Sequence, residues 1–157
     1  MALTANAFAA DTGPRVLTVC QVLDQCTNGH GKTIRIKGVY AASDHSRTIY
    51  DVNCGYSYEE GKRETPPVVE IYSVLGESKS DRVAMSEIDQ FAAAHRSELL
   101  NERISLTVEG QLACQNKLHY RNDENGKLAA DGFGPSGIWK ARIMLKRVLK
   151  ITVIGIQ

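Results

Sequence analysis

Neither sign of charge dominates this sequence. It has 19 Lys and Arg against 18 Asp and Glu, a net charge of +1. No run of like charge exceeds a few residues. A duplex-DNA binder shows a basic excess or stripe, and an anionic membrane surface draws a cationic patch. Both partners are disfavoured. Long hydrophobic runs are also missing, and no stretch approaches the roughly 20 apolar residues of a membrane-spanning helix.

The signatures of catalysis and metal binding are absent too. There is no C-x-x-C pair, so neither a zinc knuckle nor a thioredoxin-like redox site is indicated. There is no H-E-x-x-H, and no two of His30, His45, His95 and His119 lie within five residues of each other. A metal site needs three or four converging ligands. His45 and Cys54 approaching across a hairpin would supply only two. No G-x-S-x-G nucleophile elbow occurs. Ser136 in GPSGIW has glycine neighbours but no strand–turn–helix setting. Glu59-Glu60 reads as a solvated pair in a charged loop. In the run from Gly132 to Gly137, Pro135 removes an amide that a phosphate cradle would use. The sequence therefore reads as a protein that is not an enzyme, with no cofactor and no metal.

What is present is an ordinary globular composition: 157 residues, 43% hydrophobic and 24% charged. That is the size of one domain with one core. Neither an internal repeat nor an interdomain linker is visible. Residues 1–13 stand apart. Their first ten are small, apolar and uncharged, and Ala7-Phe8-Ala9 fits an A-x-A cleavage pattern. They read as a signal-peptide remnant, or otherwise as a disordered tail, leaving residues 14–157 as a single domain. Export makes the periplasm or the exterior the expected location.

Hydrophobic periodicity orders the rest. In residues 17–26, Val19, Val22, Leu23 and Cys26 follow i, i+3, i+4, i+7, one face of a helix. Thr18 is its candidate N-cap, and Gly29 and Gly31 end it. Residues 32–41 alternate as a strand. Ile34, Ile36, Gly38 and Tyr40 share one face and Arg35 and Lys37 the other, and Gly38 marks a bulge or tight bend. Residues 47–52 return as a second strand after a polar turn. Residues 55–67 read as a loop, and 68–75 as a third strand. The longest helix spans 80–100, with Val83, Ala84, Ile88, Phe91, Ala92, His95 and Leu99 on one stripe. His95 there is a satisfied residue at the core edge. Residues 104–114 alternate again and place Cys114 inward. Residues 115–137 are a long loop, and 140–154 a last strand in which Ile143, Leu145, Leu149, Ile151 and Val153 share one inward phase, while Arg147 suggests a bulge or an exposed strand end.

The result is an α+β chain, mainly β, ordered helix, three strands, helix, strand, long loop, strand. That is the order of an OB-fold, a five-stranded Greek-key barrel with a helix between its third and fourth strands. An unrelated α+β sandwich is the rival architecture.

Four cysteines in an exported domain permit two disulfides. Cys20 and Cys26 are six residues apart, about 600° of helical rotation, so they sit on different faces and do not pair with each other. Cys54 is then the natural partner for one of them, Cys20 ahead of Cys26. Whether Cys26 and Cys114 form the second bridge stays open, with a buried free thiol as the alternative reading of Cys114.

Several stretches also resemble a group of small secreted bacterial OB-fold-like proteins of unassigned biochemical function. They are Cys20-Gln21-Val22-Leu23, the run from Gly31 to Gly38, Tyr50-Asp51-Val52-Asn53-Cys54, and Gly132-Phe133-Gly134 followed by Lys140-Ala141-Arg142. The resemblance spans most of the chain from Cys20 to the last strand. It implies the fold, export, and a cysteine pair joining the N-terminal helix to the hairpin. It offers no catalytic residues.

In an OB-fold, ligands meet the second and third strands and the loops between strands one and two and between four and five. Aromatic and charged residues near those loops form the expected binding face: His45, Arg47, Tyr50, Tyr56, Tyr58, Tyr120, Arg121 and Trp139. Stacking aromatics beside cations suit single-stranded nucleic acid, but equally a sugar or a peptide strand. Near-neutral charge makes nucleic acid the weakest of these. The favoured reading is an exported binding module of the bacterial envelope, its partner an envelope protein, a glycan or a small ligand. A structural or stress-related envelope protein without a ligand site is the alternative, and a cytosolic single-strand nucleic-acid binder the third. The same tyrosines would otherwise be packing residues at strand edges.

Overall fold

The computed structural model describes residues 13–55, 57–59, 63–65, 67–73, 79–95, 102–115 and 117–155. These form a mixed α+β fold, mostly strand, with three helices among the described residues. In chain order the elements are β1 Val16–Thr18, α1 Val19–Asp24, α2 Cys26–Gly29, β2 Thr33–Ala42, β3 Arg47–Tyr50, β4 Ser57–Glu59, β5 Arg63–Thr65, β6 Val68–Tyr72, α3 Lys79–Ala94, β7 Glu102–Cys114, β8 Arg121–Asn122, β9 Leu128–Ala129 and β10 Ala141–Gly155.

One six-stranded sheet carries the structure, in the order β1-β2-β3-β6-β10-β7, and β7 also pairs with β2. The β6–β10 and β1–β2 pairs are parallel, and the other pairings are antiparallel. Beneath the sheet lies one core in which Val19, Val22, Ile36, Ile49, Val69, Leu106, Val108 and Ile143 are fully buried. Each such side chain contributes about 1.5–3 kcal/mol of transfer free energy. Ala84 and Ile88 bring α3 onto this core.

Alternation explains the strand faces. Ile34 and Ile36 point in. Arg35 points out but is also buried: Gly13 lies against its guanidinium, leaving no room for a side chain there, and Glu109 pairs with it. Gly38 sits where β2 exchanges neighbours. A Cβ there would lie 2.4 Å from Ile49 Cγ2 and 2.7 Å from the Tyr50 carbonyl oxygen, so only glycine lets the strands approach.

Several segments differ from the sequence-based expectation, each for a local reason. The helix expected over 17–26 begins only at Val19, because Val16–Thr18 pair with Arg35–Lys37 as β1. Thr18 then caps α1 in a capping box: its Oγ accepts from the Gln21 N–H, and the Gln21 side chain accepts from the Thr18 N–H. Gln25 interrupts the helix and α2 follows. The expected loop over 55–67 contains the antiparallel pair β4–β5. The long loop over 115–137 contains the β8–β9 hairpin, whose turn is organised by Asp123. Its carboxylate accepts the N–H groups of Asn125 and Lys127, and Gly126 takes φ +75°. On α3, Val83 is exposed rather than inward, and residues 96–100 of the expected helix lie outside the described residues.

In β10 the register slips twice, between Leu145 and Arg147 and between Val148 and Lys150. Each bulge inserts one residue and reverses which face the next side chain takes. Leu149, expected inward, is therefore exposed, while Val148 and Ile151 pack on the core.

Two disulfides staple the fold, Cys20–Cys54 and Cys26–Cys114. The first is the pair expected for Cys20, and the second settles the open question of Cys26 and Cys114. Together they point to an oxidising, extracytoplasmic environment. No helix among the described residues is long and apolar enough to cross a membrane.

Candidate binding groove

A groove of about 650 Å³ opens between α3 and the β3–β6 side of the sheet. The turn before β3 supplies one rim. There the Ser43 N–H donates to the Ser46 carbonyl at 2.8 Å, and the two serine hydroxyls meet at 2.9 Å. This tight turn presents His45 and Ser46 and starts β3 at Arg47. Arg47 reaches α3, where Nη2 donates to Asp89 Oδ2 at 2.9 Å and Nε to Oδ1 at 3.2 Å. Burial opposes the Arg47 charge, but the Asp89 hydrogen bond and charge more than offset it and strengthen its hold on the proton. Tyr40 lies one strand over, and burial pushes its phenol pKa up, while the nearby Arg47 opposes the rise.

The α3 wall is one helical stripe. Arg82, Met85, Ser86, Asp89, Gln90 and Ala93 all line the groove, at the i, i+3, i+4 spacing of a single face. The adjacent stripe, Ala84 and Ile88, enters the core. One helix thus closes the core with one face and forms a groove wall with the next.

The β6 wall comes from Glu70 to Ser73. Ile71 is buried, whereas Tyr72 is exposed. Ser73 Oγ is buried and has no hydrogen-bond partner among the described residues. Glu70, 7% exposed, interrupts an otherwise apolar strand. In register with it on β10 is Arg142, whose Nε donates to Glu70 Oε2 at 2.5 Å. The Arg142 guanidinium also lies 4.1 Å from the Tyr72 ring centre and 4.8 Å from that of Phe133. Such cation–π contacts contribute about 0.5–2 kcal/mol according to their exposure.

Phe133 belongs to the long connection before β10. It pairs with Trp139 through two backbone hydrogen bonds of 2.8 and 3.1 Å. The turn between them requires glycine. Gly134 has φ +79°, and a Cβ there would lie 2.3 Å from the Trp139 ring. The Gly132–Gly137 run is thus turn chemistry that seats Trp139 and aims Phe133 at Arg142.

Of the residues selected from sequence, the structure brings His45 and Arg47 into the groove. Tyr50 ends β3 elsewhere, its ring centre 6.0 Å from the Arg103 guanidinium. Tyr120, Arg121 and Trp139 belong to the long connection and do not line the groove. Tyr58 lies on β4, and Tyr56 lies outside the described residues. His95 stacks on Phe91 at 4.1 Å, and its Nδ1 is 2.9 Å from the Phe91 carbonyl oxygen. His119 Nδ1 is 2.6 Å from Asp131 Oδ2 on the exposed connection. The His119 backbone N–H first, and its ring second, hold the Asp131 carboxyl below its ordinary pKa. Cys20, Asp51 and Cys54 cluster within 4.8 Å, but the two sulfurs are bonded to each other, so the trio offers no thiolate to a metal.

Sequence reading did not select Glu70, Tyr72, Ser73, Arg82, Asp89 or Arg142. One signal was available: a glutamate in the middle of the apolar run Val68–Tyr72 needs a cationic partner when buried. Comparison with protein-family models, curated proteins and solved structures gives no match.

Proposed function

We propose that this chain is an exported, non-enzymatic binding module of the bacterial envelope, built on an OB-type five-stranded barrel. The pairings β2–β3, β3–β6, β6–β10, β10–β7 and β7–β2 return to their starting strand, as that barrel requires. The long helix α3 falls between its third and fourth strands. The two disulfides suit an exported protein. The ligand enters the groove between the first turn and α3.

The buried, unpartnered Ser73 hydroxyl in the groove wall carries this reading. A buried polar atom without a partner costs about 1–3 kcal/mol, and a ligand that hydrogen-bonds it would recover part of that. The test is a small-fragment screen followed by backbone amide NMR on the full chain. Hits should converge on Ser46, Ser73, Met85 and Gln90. Hits that scatter over the surface, or none at all, would favour the structural envelope protein instead. Hits that lose affinity steeply with salt and map to the tyrosines would favour the nucleic-acid reading.

A further inference from the structure

The charges around the groove are not equally available. Asp89 is committed to Arg47, and Glu70 to Arg142. These pairs leave each carboxylate neutralised by a fixed neighbour. Arg82, one turn before Ser86 on the same α3 stripe, is exposed and has no ion pair among the described residues. Among the described residues that line the groove, Arg82 is therefore the arginine that no carboxylate holds. Beside it stand neutral hydrogen-bonding groups: Ser46, the unpartnered Ser73 hydroxyl, and the amide of Gln90, which donates to Ser86 Oγ at 3.1 Å. Ile71, Met85 and Ala93 give a short apolar floor.

This pattern selects charge as well as shape. One guanidinium matches one negative charge, and it binds a carboxylate through a two-pronged contact. A phosphate ester would bring close to two charges, one more than the single Arg82 guanidinium matches. A wholly neutral ligand would leave Arg82 unused. The serines and Gln90 need hydroxyl or carbonyl partners spread over a body of several ångströms.

We infer that the groove takes a small hydroxylated monocarboxylate of the uronic-acid type, with its carboxylate on Arg82 and its hydroxyls on the Ser73–Gln90 side. The inference rests on the groove being the binding site and deepens that reading.

The experiment titrates the disulfide-intact, isotope-labelled full chain with D-glucuronate, D-glucose and glucose 6-phosphate, following backbone amides. Glucuronate should shift Ser46, Ser73 and Gln90 with a dissociation constant of about 1 mM, the ligand-efficiency scale for a sugar-sized molecule. Glucose and glucose 6-phosphate should bind at least about tenfold more weakly, as the charge match demands. Arg82→Glu should abolish glucuronate binding and Arg82→Gln should weaken it about tenfold. Both variants lie on an exposed helix position, and unshifted amides elsewhere verify their fold. Equal binding of glucose, or unchanged glucuronate affinity in Arg82→Glu, would overturn the inference while leaving groove binding intact. Tighter binding of glucose 6-phosphate would overturn it in favour of a phosphate. Glucuronate that shifts none of these amides would overturn it outright, whatever the fragment screen finds.

Discussion

Arg47 and Asp89 face each other across the groove mouth and join β3 to α3 by a forked ion pair of 2.9–3.2 Å. The side chains are 39% and 47% exposed, so solvent screens the pair. Its role is geometric: it fixes how far α3 stands from the turn carrying His45. Asp89→Asn should therefore cost no more than about 1 kcal/mol of stability, the range of exposed pairs. It should nevertheless shift the amides of Ser46 and Gln90, because the rim loses its cross-brace. Urea denaturation and an amide spectrum check both. A loss of several kcal/mol would mean the pair is a folding contact instead.

Glu109 presents the opposite case. It accepts from Arg35 Nε at 2.8 Å and from Arg147 Nε at 2.8 Å. Its own side chain is 12% exposed and that of Arg35 8%, but that of Arg147 is 55% exposed. Removing the carboxylate breaks an ion pair at a buried guanidinium, so Glu109→Gln should cost about 3 kcal/mol. Arg147→Ala should cost about 1 kcal/mol or less. Hydrogen bonds from Arg147 and then Arg35 hold the Glu109 carboxyl below its ordinary value of 4.5. A depressed carboxyl contributes stability above its unfolded pKa of about 4.3 and loses it as pH falls through the folded value. The stability gap between wild type and Glu109→Gln should be full at pH 7 and close progressively below about pH 4.3. A gap independent of pH would show that packing, not charge, sets it.

The two disulfides should part company under reductant. Cys26 is buried at 5% exposure and its bridge closes 88 residues; Cys20 and Cys54 are half-buried and theirs spans 34. A thiolate must reach a sulfur to exchange, so graded reduction should open Cys20–Cys54 first. Trapping with a thiol-alkylating reagent and peptide mass mapping would read the order. By loop-closure entropy, serine pairs replacing Cys20–Cys54 and Cys26–Cys114 should each cost about 4 kcal/mol, the longer loop slightly more. Release of Cys26–Cys114 first would overturn the burial argument.

The strand faces and the site were not equally legible in the sequence. Alternation in residues 32–41 and 104–114 predicts which side chains enter the core, because period-two patterning is local. Arg147 flags the β10 irregularity, since a charge breaks an apolar phase. The first slip already turns Leu149 outward, which the charge alone does not reveal, and the second slip, at Val148, leaves no mark at all. β1 is three residues long and too short to show any period. The groove is harder still. His45 and Arg47 are visible because they flank a turn. Asp89 and Arg82 look like an ordinary solvated helix face until β3 is seen opposite. Arg142 gains meaning only through its register with Glu70, a pairing across 72 residues that no local window contains.

That register makes the final test. Glu70 and Arg142 are 9% and 25% exposed at their side chains, so removing one partner leaves a largely buried charge behind. Arg142→Ala should cost about 3–5 kcal/mol, and it also withdraws the cation from the Tyr72 and Phe133 rings. Arg142→Met with Glu70→Gln keeps the volume and leaves no charge, so it should be less costly than Arg142→Ala alone. The double-mutant cycle separates the two roles of the arginine. If the ion pair dominates, Glu70→Gln should relieve most of the loss caused by Arg142→Met. If the ring contacts dominate, Glu70→Gln should relieve little, and Phe133→Leu should lower stability in the wild type but not in the Arg142→Met background. Chemical denaturation of these variants decides between them. The first outcome would make β6–β10 pairing an electrostatic register lock. The second would make Phe133 the fastener that holds the long connection against the sheet.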